Sequence, residues 1–91
     1  MKVQVYATLR PIVGGKQMPL LPAPGETVRA YLARVTDAYP ALARLVWTAD
    51  GGLTDYLKVF INGRDARLLE GPETIFPAEA DVDIFPPVAG G

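Results

Sequence analysis

The chain has 91 residues, 49% hydrophobic and 21% charged, with nine Lys and Arg against ten Asp and Glu for a formal net charge of −1. That describes one small domain able to bury its own core, and the scattered charges give no basic footprint for a phosphate backbone, so no nucleic-acid partner is expected. Cysteine and histidine are both absent, which removes disulfides, thiolate nucleophiles and the commonest zinc ligand and general base, and leaves an isolated active site only carboxylates to work with.

In chain order, MKVQVYATLR alternates polar and apolar residues where a signal peptide would carry a basic and then an apolar block, and no apolar run approaches the ~20 residues needed to span a bilayer. A cytoplasmic protein without membrane contact is expected. Val3, Val5, Ala7 and Leu9 share one parity, so residues 2–9 read as a strand with one covered face. Pro11 and Gly14-Gly15 then lead to KQMPLL (16–21), whose Pro19 places it at a sheet edge as the second arm of a hairpin. Thr27 is a helix N-cap without the reciprocal half of a capping box, since Ala30 stands three residues on. Val28, Tyr31, Leu32, Val35 and Ala38 or Tyr39 form one apolar stripe over about three helical turns. Pro40 ends that helix or opens another short one, from which Leu42, Leu45 and Val46 point inward.

Residues 48–55 are a polar, glycine-rich loop, and 56–61 read as a strand with Leu57, Val59 and Ile61 toward the core and Lys58 and Phe60 away from it. Asn62-Gly63 is a type I′ hairpin signal and predicts a short return strand over 64–68. After Gly71-Pro72 and Pro77, residues 81–85 alternate again with Val82 and Ile84 inward, and Pro86, which has no N–H to donate, stops the ladder. Strands flanking one main helix without a βα repeat indicate an α+β fold, a mixed sheet of four to five strands covered on one face.

Several motifs carry possible chemistry. Gly14-Gly15-Lys16 is followed by Gln17 where a phosphate loop needs Ser or Thr, and is a turn. Asp81 and Asp83 share a strand face and read as a solvated acidic strip, not as a metal or acid–base pair. Trp47 reads as a core-edge aromatic. Tyr6, Phe60 and Phe85 all take the parity opposite the core, so they should cluster on the uncovered face, either filling a gap or offering an apolar patch to a partner. The terminal FPPVAGG divides the chain into a body, 1–85, and an extended flexible tail, 86–91: Pro86-Pro87 hold the approach extended, and Gly90-Gly91 are slender enough for a narrow channel.

FPPVAGG, with ATLR (7–10) and VFINGRD (59–65) in the same order, resembles the MoaD/ThiS-like β-grasp sulfur carriers, including the small subunit of molybdopterin synthase and the carrier for cysteine biosynthesis. The resemblance implies a ubiquitin-like β-grasp in which the third and last strands are neighbours. It also implies a carrier and not an enzyme: a ubiquitin-activating-type partner uses ATP to adenylate the carboxylate of Gly91, a sulfur donor enzyme displaces AMP to leave a thiocarboxylate, and an acceptor such as the large subunit of molybdopterin synthase takes the sulfur. On this reading Gly91 is the reactive residue, Gly90 the neck, and Phe60, Phe85, Pro86, Pro87, Val88 and Ala89 hold the partner. The chain itself would bind no cofactor and no metal. FPPV points toward molybdopterin synthesis, whereas the longer stretches 45–56 and 9–15 look closer to the archaeal-type and cysteine-biosynthetic carriers. The alternatives are a sulfur carrier for cysteine biosynthesis or tRNA thiolation and, from another class, a ubiquitin-like protein modifier joined through Gly91 to lysines.

Overall fold

The computed structural model describes residues 1–87. A four-stranded mixed sheet is built from β1 (Lys2–Val5), β2 (Lys58–Ile61), β3 (Arg64–Asp65) and β4 (Asp81–Phe85) in the order β1-β4-β2-β3. The last strand is an inner one: β4 runs parallel to β1, with Lys2 opposite Asp81 and Val5 opposite Ile84, and antiparallel to β2, with Lys58 opposite Phe85 and Ile61 opposite Val82. Val3, Val5, Val59, Ile61, Val82 and Ile84 alternate onto one face and are buried there. Against that face lies α2 (Val28–Ala38), whose Val28, Tyr31, Leu32 and Val35 are each no more than 2% exposed. Together they form a single core, which supports the expected α+β architecture with one main helix.

The helix starts where its cap dictates. The Thr27 side chain accepts a hydrogen bond from the Ala30 amide at 3.1 Å, satisfying one of the helix's unpaired first-turn donors. Beyond it, Pro40 opens a 3₁₀ turn (Pro40–Leu42) that runs into the short α3 (Ala43–Val46), and Leu42 and Val46 close the end of the core. Trp47 is half-buried at the core edge, and its indole Nε1–H donates to Thr36 Oγ1 at 3.0 Å.

Four boundaries differ from the sequence reading. The strand read over 56–61 begins only at Lys58, because residues 55–57 still belong to the turn and bend that precede it. The first strand stops at Val5, because Ala7 takes a left-handed φ of 52° that turns the chain into a second helix, α1 (Leu9–Val13). Pro11 sits in the first turn of α1, where its missing N–H costs nothing, and Leu9 and Val13, four residues apart, are both buried. Residues 16–18 do run antiparallel beside β1, with the Val5 amide bonded to the Lys16 carbonyl and the Met18 amide to the Val3 carbonyl, but the pairing is a single bridge at Gln17 and not a strand over 16–21. Pro19 cannot extend it. The return strand is only Arg64–Asp65, because Asp65 accepts from the Arg67 amide at 2.9 Å and caps a 3₁₀ turn over Ala66–Leu68. Among the described residues no helix is long and apolar enough to cross a membrane.

Candidate functional site

The sheet face turned away from α2 carries the side chains of the opposite parity, and the ladder registers arrange them in rows. Gln4, Asp83, Phe60 and Asp65 lie across one row. Phe85 and Lys58 lie across the next, at the edge where β4 leaves the sheet. Tyr6 follows β1 directly, and its ring stacks on Phe85 with centroids 4.2 Å apart and planes 10° apart. Phe60 meets Phe85 edge-on at 5.6 Å and 90°. The three rings therefore form one platform, as their shared parity predicts, and each stays half-buried with no helix above it.

Polar groups fix this platform from below. The Tyr6 hydroxyl lies 2.7 Å from Asp83 Oδ1 and 2.9 Å from Gln4 Oε1, so the ring is held by its polar tip while its face supports Phe85. The hydrogen bond to Asp83, reinforced by partial desolvation and the carboxylate's charge, raises the phenol above its ordinary titration range. Asp83 thus serves as a strut for an aromatic ring within the acidic strip, with Asp81 exposed beside it. Arg10, on the first turn of α1, donates through Nε to the Val5 carbonyl at 2.9 Å and places its guanidinium 5.2 Å from the Tyr6 ring centroid.

Of the residues singled out in the sequence, Phe60 and Phe85 are brought together, Pro86 is buried and Pro87 half-buried. Val88, Ala89, Gly90 and Gly91 lie outside the described residues. Sequence reasoning missed the flanking cations Arg10 and Lys58 and the strut role of Asp83 and Gln4. Strand parity alone places Lys58, Gln4 and Asp83 on this face, whereas Arg10 depends on the turn at Ala7, which no residue pattern announces.

The chain matches the ThiS family over residues 3–91. Small archaeal modifier protein 3 of Haloferax volcanii is 34% identical over all of this chain and 98% of its own length. The crystal structure of SAMP1 from Haloferax volcanii superposes with a TM-score of 0.79 at 30% identity, covering 100% of this chain and 98% of that one. A chain in the crystal structure of the Amycolatopsis orientalis BexX/CysO complex superposes with a TM-score of 0.75 at 26% identity, covering 99% and 98%.

Proposed function

The chain belongs to the ThiS family of β-grasp sulfur carriers and ubiquitin-like modifiers, and from that premise we propose that it carries sulfur as a thiocarboxylate on Gly91. The observation that bears most of this reading is the placement of the aromatic platform at the exit of β4: Phe85 is at once the last residue of an inner strand and the centre of the three half-buried rings. A partner that grips the platform receives whatever follows Pro87 at a fixed position, and pre-positioning of that kind replaces the entropy cost of capturing a free chain end.

In the proposed cycle the Gly91 carboxylate attacks the α-phosphorus of ATP bound by an adenylating partner, and pyrophosphate leaves. Sulfide-level sulfur from a donor enzyme then attacks the acyl carbon, a C–S bond forms as the C–O bond to AMP breaks, and the thiocarboxylate remains. Where the donor is a persulfide, the first product is an acyl disulfide that a thiol must reduce. The acyl group needs this activation because a carboxylate is a poor electrophile. The body, 1–85, contributes recognition and the tail, 86–91, contributes the reactive end. The FPPV motif favours molybdopterin synthesis as the destination, with the large subunit of molybdopterin synthase as acceptor. The name of the Haloferax volcanii relative supports a second reading, attachment of Gly91 to lysines of other proteins, and the crystallised complex of BexX with CysO supports a second protein as partner.

The test is intact-mass analysis of the chain recovered from cells or mixtures containing its own activating enzyme and sulfur source. Exchange of one terminal oxygen for sulfur, lost when Gly91 is deleted, is the expected result. Only thiol-resistant, higher-mass adducts would favour the modifier reading, and an unmodified acid throughout would overturn both.

A further inference from the structure

The platform is bracketed by charge of one sign. Along the row nearest the exit of β4, Phe85 has Tyr6 on one side, with the Arg10 guanidinium against that ring, and Lys58 as its ladder partner on the other. The carboxylates of the same face stand further back: Asp83 lies in the row behind and is engaged by Tyr6, Asp65 shares that row and is engaged by Arg67, and Asp81 stands at the far end of β4. Among the described residues neither Arg10 nor Lys58 forms a salt bridge. The Nε bond to Val5 leaves the Nη groups of Arg10 available, and the fork is already oriented.

Resting on the carrier reading above, we propose that Arg10 and Lys58 are the electrostatic half of the docking surface, and that the adenylating partner carries carboxylates on either side of the mouth that admits the tail. Apolar contact with the three rings supplies affinity without fixing rotation about the sheet normal. Two cations flanking the exit, with acidic residues only behind it, define that rotation and steer the encounter. A partner docked the wrong way round would set its acidic rim over Asp81 and Asp83, where like charges repel.

The test uses the full chain and the purified ubiquitin-activating-type enzyme of the source organism, with carrier-dependent ATP–pyrophosphate exchange read at several salt concentrations. Arg10→Ala and Lys58→Ala are each expected to raise the KM for the carrier about fivefold, the upper range for one partly screened ion pair, with kcat unchanged. The double variant should lose most of the salt dependence of KM, Lys58→Arg should retain it, and Arg44→Ala, on exposed α3 surface, should match the unaltered chain. Arg10→Ala also removes the bond to Val5, so if it fails to fold the Lys58 variants carry the test, since the Lys58 side chain makes no hydrogen bond or ion pair among the described residues. A double variant with unaltered KM, or a fall in kcat at constant KM, would overturn the proposal. Absence of exchange with the unaltered chain is a different result and would remove the carrier reading itself.

Discussion

Phe85 is bound into the sheet by its backbone and into the platform by its ring, and the two roles separate on substitution. Phe85→Asp removes the stack on Tyr6 and the edge contact with Phe60, a stability loss of about 1–3 kcal/mol on the scale of aromatic pairs. It also sets a negative charge at the centre of the docking face, where a hot-spot loss exceeding ~2 kcal/mol of binding is expected. A thermal melt compared with a binding titration against the activating enzyme checks this: a cooperative melt with binding reduced at least tenfold is the expected outcome, and loss of the folded state would identify the ring as core. The platform was legible because strand parity depends on residue spacing alone, and Tyr6, Phe60 and Phe85 share it. Trp47 was likewise placed at the core edge from its type. The position of Arg10 was not legible, since alanine carries a Cβ that disfavours positive φ, and Ala7 adopts 52° only because the surrounding packing requires it.

At the level of elements, the segment between α1 and α2 has little secondary structure of its own and is held by side chains of α2. Tyr31 donates its hydroxyl to the Leu20 carbonyl at 2.7 Å, and Arg34 bonds the Leu21 carbonyl at 2.9 Å while gripping both oxygens of Glu26 at 2.6 and 2.7 Å. Burial raises the Tyr31 phenol well above its ordinary range, so it stays a neutral donor. The Arg34 bonds, aided by the Ala23 amide, hold the Glu26 carboxyl below its ordinary value of 4.5. A carboxyl whose folded titration point is lowered contributes stability that is fully present above the unfolded value and is lost as pH falls through the folded one. Melting temperature should therefore drop more steeply below about pH 4.5 in the unaltered chain than in Glu26→Gln. At neutral pH that variant should be less stable by about 1 kcal/mol, discounted because Arg34 is partly solvated. Elements with a strong local rule were read correctly: α2 from its stripe and Thr27 cap, β4 from its alternation, and the β2–β3 turn from Asn62-Gly63, whose φ values of 51° and 82° are those of a type I′ turn. Those decided by tertiary context were not. α1 is five residues long, too short for periodicity to register. The arm over 16–21 does pair with β1 as its hairpin reading expected, but its length was over-read, since the pairing is a single bridge at Gln17.

For the molecule as a whole, the fold class followed from the order of elements, and the match to the ThiS family over residues 3–91 agrees with it. The sheet order itself was legible only through the family resemblance, which makes the third and last strands neighbours, because nothing in the residues says which strand lies innermost. That order has a mechanical consequence. β1 begins at one end of the sheet and β4 finishes at the other, and the two are parallel neighbours from Lys2–Asp81 to Val5–Ile84. Tension between residue 1 and the segment beyond Phe85 slides the strands along each other, so their ladder bonds resist together. Handles at Tyr56 and beyond Phe85 would instead pull β2 and β4 apart from a shared end, one bond after another. Single-molecule pulling should find the first geometry rupturing at the higher force, and equal forces would show that the β1–β4 seam does not act as the clamp. A motor dragging this protein by the end that follows β4 would meet its strongest seam first.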